Sequence, residues 1–236
     1  MGGLALAGWL LSALGLPPRR AEKALRHYTV PVPWRHLLQK REVLGLFIFR
    51  MAYTTCIGVI WGFLPIFADQ ALHLSRSAIG TLIMTGVLVS GLIHVPMGYL
   101  SDRIPKPRMV VTGGLLAGAG VLSFIWGQSF AGMLMSSALF GLGGGIAMPA
   151  LMGLAVSQGA RSSAMGSIMA LLTLGHSLGM MAGALMAGFF MDWMRLSWAF
   201  PGGAAVMMGG VLAFGACTAS SGTRPAGADR SAPRDA

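Results

Sequence analysis

One carboxylate and three cations crowd the segment 98–108, which reads Gly-Tyr-Leu-Ser-Asp-Arg-Ile-Pro-Lys-Pro-Arg. Asp102 can accept hydrogen bonds from backbone donors at a neighbouring helix N-terminus, where negative charge is favoured. Arg103, Lys106 and Arg108 can pair with that carboxylate or with lipid headgroups, and Gly98 leaves room for two helix ends to approach. This is the chemistry of an electrostatic latch between helix ends. On local chemistry alone, an ordinary basic loop explains the same residues. Arg50 poses a different question, because it stands inside an apolar run with Thr54, Ile57 and Trp61 at helical spacing on its face. A charge within such a run marks a substrate pathway, unless its long stem lets the guanidinium snorkel to the nearer interface. His94 and His176 also fall within apolar runs. Each can line a cavity or relay a proton, and each can equally be a neutral, hydrogen-bonded packing group.

A second pattern is made of small residues. Gly166, Gly175, Gly179 and Gly183 read as helix-packing glycines, and the last three continue to Ala187 at intervals of four. Such a stripe lets another helix pack closely. The glycines between Gly141 and Gly145 complete no dinucleotide fingerprint, and close helix contact accounts for them. Asp69, Asp102 and Asp192 stand at the ends of apolar runs, and no carboxylate lies deep inside one. The chain carries no phosphate-binding loop, zinc motif or nucleophile elbow, so the expectation is a protein that is not an enzyme, with no cofactor and no metal. Cys56 and Cys217 both fall in apolar runs and form no disulfide framework.

These residues must be held by membrane-spanning helices. Of 236 residues, 55% are hydrophobic and 10% charged, whereas soluble domains carry about 25% charged residues. Six apolar runs, at 44–67, 78–100, 109–126, 130–156, 163–191 and 198–219, are each long enough to cross roughly 30 Å of hydrocarbon. They lack the alternation of a β-barrel. The fold class expected is therefore an all-α membrane protein with six transmembrane helices. Residues 1–16 are apolar but short, either an interfacial helix or the end of a spanning helix. Residues 17–43 form a basic connector, with Trp34, Leu37, Leu38 and Arg41 at helical spacing along the membrane surface. Residues 44–219 are the six-span domain, and 220–236 read as a disordered tail. The formal charge of +10 would suit nucleic acid in a soluble protein. Here fourteen Lys and Arg residues fall on one side of the spans and two, Arg76 and Arg195, on the other. By the positive-inside rule the connector and tail are cytoplasmic. The expected partners are the lipid bilayer and a small-molecule substrate, with no nucleic acid.

The 98–108 segment resembles the signature loop of the major facilitator superfamily: glycine, three residues, aspartate, a cation, one residue, glycine, then two cations. Gly98, Asp102, Arg103 and Lys106 match it, Pro105 replaces the second glycine, and Pro107 displaces the last cation to Arg108. Residues 63–67, Ile79-Gly80 and 161–166 are also similar to the family's phrasing. The resemblance implies a secondary transporter of a small organic solute working by alternating access, with the loop as a gating latch. The family unit is two six-span halves, and the basic connector behind an apolar stub is similar to the family's long loop between its sixth and seventh helices. With the tail after the last run, this implies a C-terminal half in a plasma (inner) membrane, whose partner is an N-terminal six-helix half. The glycine spacing in the fifth run is similar to the family's antiporter motif, but Met180 and Ala184 depart from it and helix packing is the preferred reading. Pro96 and Pro149 are expected to kink their helices. Two other readings stay open: a truncated, transport-inactive membrane protein or scaffold subunit, and a half-size transporter acting as a homodimer.

Overall fold

The computed structural model describes residues 34–193 and 198–219, together with Gly8, Leu10 and Ser12. The expectations for 1–16, most of the connector, Arg195 and the 220–236 tail lie outside the described residues. The chain divides into two units, Met1–Pro31 and Val32–Ala236. In the first, Gly8, Leu10 and Ser12 are helical; the second contains the bundle.

A short helix, α1 (Trp34–Gln39), leads into α2 (Arg41–Leu72), α3 (Arg76–Ser101), α4 (Lys106–Ser123) with a 3-10 turn at Phe124–Trp126, α5 (Phe130–Arg161), α6 (Met165–Trp193) and α7 (Ala199–Ala219). Six of these, α2 to α7, are long and apolar enough to cross a membrane. The fold is an all-α membrane bundle, as the continuous apolar runs require: in lipid, every backbone donor must be satisfied within its own helix. Some boundaries differ from the sequence reading. The first span does not close at Phe67 but continues to Leu72, and the fifth begins at Met165. Pro96 and Pro149 lie inside unbroken helices.

Local chemistry sets the helix ends. Ser75 caps α3 by accepting from the Ala78 N–H at 3.3 Å, and Ser129 caps α5 by accepting from Gly132 at 3.2 Å. At the far end of α5, the Ala164 N–H donates to the Gly159 carbonyl at 3.1 Å and the Ser163 N–H to Ala160 at 3.4 Å. This is a Schellman motif, which calls for a left-handed residue. Ser163 adopts it, with φ 51°, where glycine would be unstrained. His73 ends α2 in the same region, with φ 49°.

The pairings among spans follow a simple rule. Helix α2 packs on α6 and α7, α5 packs on α3 and α4, and α4 packs on α7. Exchanging α2 with α5, α3 with α6 and α4 with α7 returns the same set of pairs, the pattern of a three-plus-three repeat. Glycine makes the matching contacts. A Cβ on Gly58 of α2 would lie 3.1 Å from the Gly183 Cα on α6, and one on Gly141 of α5 would lie 3.1 Å from the Gly86 Cα on α3. Helix α3 is the most peripheral span: 6% of its apolar stretch is buried, against 67% for α2.

Gly175, Gly179 and Gly183 face Phe47, Met51 and Thr55 of α2 in turn, and Ala187 is buried one turn on. Gly166 does not belong to this stripe, because a Cβ there would meet nothing within 4 Å. The reason is phase: it lies nine residues before Gly175, two and a half turns, and so on the opposite face. Gly183→Ala should therefore lower stability by about 1–3 kcal/mol through overpacking against the α2 backbone, whereas Gly166→Ala should be neutral or slightly stabilising. Reversible unfolding in mixed micelles measures both. Ser163→Gly, which relieves a left-handed serine, should stabilise by up to about 1 kcal/mol in the same assay.

Candidate functional site

The segment 98–108 joins α3 to α4. Asp102 is the C-cap residue of α3, and Lys106, one turn on, opens α4 and places its Nζ 3.5 Å from the Asp102 carboxylate. Asp102 caps no helix N-terminus: α4 starts without a side-chain cap. Its side chain is 80% exposed, which leaves the carboxylate open to a further partner. Arg103 lies over the Tyr99 ring, 4.5 Å from the centroid, and also donates to the Tyr99 hydroxyl. Arg108 is exposed, and the Lys106 stem runs along α5 at Gly153. Gly98 brings no helix close, since a Cβ there would meet nothing within 4 Å. At the same end of the bundle, Gln158 of α5 donates to the Glu42 carboxylate of α2. Pro107, Arg161 and Thr218 complete a small cavity of about 170 Å³ there. Glu42 in a first turn and Arg161 in a last turn both suit the helix dipoles.

A larger cavity, about 300 Å³, lies among α2, α3 and α5. Trp61, Tyr53 and Ile57 of α2 face His94 and Ser90 of α3 across it, with Ser137, Phe140 and Gly141 of α5 forming the third wall. Tyr53 stacks on Phe140 with centroids 5.5 Å apart and planes at 7°. The phenol can reach that position because Gly144 has no side chain to block it. The His94 Nδ1 is bonded to the Ser90 carbonyl; a carbonyl only accepts, so that nitrogen carries the proton. The Ser137 hydroxyl is buried without a partner. A few polar groups on an apolar wall are the usual make-up of a small-molecule site.

Helix α2 presents 53, 57, 60 and 61 to this cavity, not the face through Arg50 and Thr54. Thr54 is wholly buried. Its hydroxyl is 2.9 Å from the Arg50 carbonyl, 3.1 Å from that of Met51 and 3.4 Å from that of Gly175. It belongs to the α2–α6 contact because Gly179 lets the helices close over it. Arg50 enters a neighbouring space between α2, α5 and α6. It lies nine residues into α2, roughly 14 Å along the helix, and its Nη1 contacts the Met148 sulfur at 2.8 Å. Its Nε is buried without a partner, and so is the Nδ1 of His176. Tyr53, Ser137, Phe140 and Met148 carry no sequence signal that marks them.

Two comparisons with known proteins bear on this arrangement. The model of the Major Facilitator Superfamily matches residues 43–235. The chain is also similar to the inner membrane transport protein YnfM of Escherichia coli (strain K12), with 32% identity over 154 residues. That alignment covers 64% of this chain and 36% of the relative, so the chain spans little more than a third of that protein's length. With six apolar helices paired as a three-plus-three repeat and the family match over nearly all of them, this chain belongs to the Major Facilitator Superfamily.

Proposed function

We propose that this chain acts as the C-terminal six-helix half of a secondary transporter, which moves a small organic solute by alternating access. The observation that carries the reading is the cavity among α2, α3 and α5, where Trp61, His94 and Ser137 interrupt an apolar wall beside the least buried span. In a two-half transporter the substrate site lies near the bilayer midplane where the halves meet. The relative's printed name supports the location: an inner membrane, with the basic connector and tail on the cytoplasmic face by the positive-inside count. The partner is then an N-terminal half of the same architecture.

The 98–108 loop serves as the cytoplasmic latch. The exposed Asp102 carboxylate, tied among the described residues to Lys106 one turn away, can exchange this weak local pair for a partner on the opposing half. An exposed pair of this kind contributes about 0–1 kcal/mol, so removing it leaves the bundle folded while altering the gate. Asp102→Asn should therefore lower solute flux by roughly tenfold, the factor that about 1.4 kcal/mol represents. The measurement is uptake into proteoliposomes holding the intact gene product, with membrane insertion and melting temperature as controls. Unchanged flux would remove the latch role, and no flux of any solute from a broad panel would remove the transport reading.

A further inference from the structure

Among the described residues, Asp102–Lys106 is the one ion pair, so Arg50 has no carboxylate beside it. Its position makes that costly. Nine residues into α2, the guanidinium turns inward to a thioether, the weakest of acceptors, and not toward a helix end. Its Nε is buried with nothing to donate to. An unpaired cation within a span is retained only where something compensates it. The neighbouring helix supplies a second incomplete group. At the α2–α6 crossing, Phe47 meets Gly175 and Met51 meets Gly179, which places His176 of α6 alongside Arg50 of α2. The His176 Nδ1, like the Arg50 Nε, is buried without a partner. Tyr53, three residues on from Arg50 along α2, forms part of the main cavity wall.

The geometry points to an anion subsite: Arg50, with His176 beside it, takes the carboxylate of a small organic acid, whose body extends past Tyr53 into the cavity. A guanidinium fork presents parallel N–H donors that match a carboxylate. One cation balances a single negative charge, so a monocarboxylate suits the site better than a dianion. The inference rests on the transport reading and names the substrate class of that same region. The same chemistry could come from a carboxylate side chain of the partner half, and the test separates the two sources.

The 236-residue chain in nanodiscs is titrated with benzoate, benzamide and benzylamine, three forms of one ring that differ in charge. Melting temperature and tryptophan quenching are read. Benzoate is expected to raise the melting temperature saturably, while its neutral and cationic analogues do not. Arg50→Gln should weaken benzoate binding by about tenfold or more, the loss of charge-assisted hydrogen bonds, and should raise the melting temperature of the ligand-free chain by removing an unpaired charge. Arg50→Lys should keep a weaker response. An equal response to benzamide overturns the proposal, and so does a benzoate response that survives Arg50→Gln. A flat response to benzoate assigns the guanidinium to a protein carboxylate and overturns it as well. Flux measurements on the intact gene product judge the transport reading separately. Flux confined to neutral solutes and insensitive to Arg50→Gln sinks the anion subsite alone, whereas anion binding without any flux sinks transport alone.

Discussion

Backbone-to-backbone contact at glycine is the interaction on which this bundle depends. Lipid tails are as apolar as leucine, so spanning helices gain little from hiding apolar side chains against one another; they associate through close van der Waals packing. In α5, neighbouring glycines serve three different helices: Gly141 and Gly145 face α3, Gly143 faces α4, and Gly144 receives the Tyr53 phenol of α2. The α6 stripe does the same toward α2. A methyl group at most of these positions would meet backbone atoms, which cannot move aside as a flexible side chain can.

This constraint also shapes the empty space. Helix α3 approaches α5 closely at Gly86 and Gly141 and again where Gly145 meets Ser90 and Ile93, while most of its apolar stretch stays uncovered. The cavity lies among α2, α3 and α5 beside the Gly86–Gly141 contact, and its aromatic wall is set by Tyr53 against Phe140. Of the polar atoms without partners, the Ser137 hydroxyl lines this space, while those of Arg50 and His176 belong to the neighbouring region of α2 and α6. Each unsatisfied group costs stability. The loop end of the bundle is different in kind. There Glu42 meets Gln158 in a half-buried contact and the exposed Asp102 meets Lys106, so the groups are partnered.

Much of the fold was legible because hydrocarbon imposes a coarse rule. A run of about 20 apolar residues spans, and six such runs make six helices. Hydropathy does not encode where a helix stops, since a span ends wherever a capping geometry is found; Ser163 and His73 adopt left-handed conformations that their residue types do not advertise. The stripe from Gly175 to Ala187 was readable for its regular spacing of four. Gly166 was misplaced because nine residues look like part of a glycine series yet amount to half a turn out of phase.

The sequence by itself determined the membrane class, the number of spans, the charged loop and the family pattern, because each depends on composition or on residues close along the chain. Only the tertiary structure decided which face of α2 meets the cavity. Arg50, Thr54, Ile57 and Trp61 share a helical face in one dimension, but three different neighbours divide it: α5 and α6 beside Arg50, α6 over Thr54, and open space at Ile57 and Trp61. Helical periodicity says which residues point the same way. What they point at depends on where glycine lets the next helix come close.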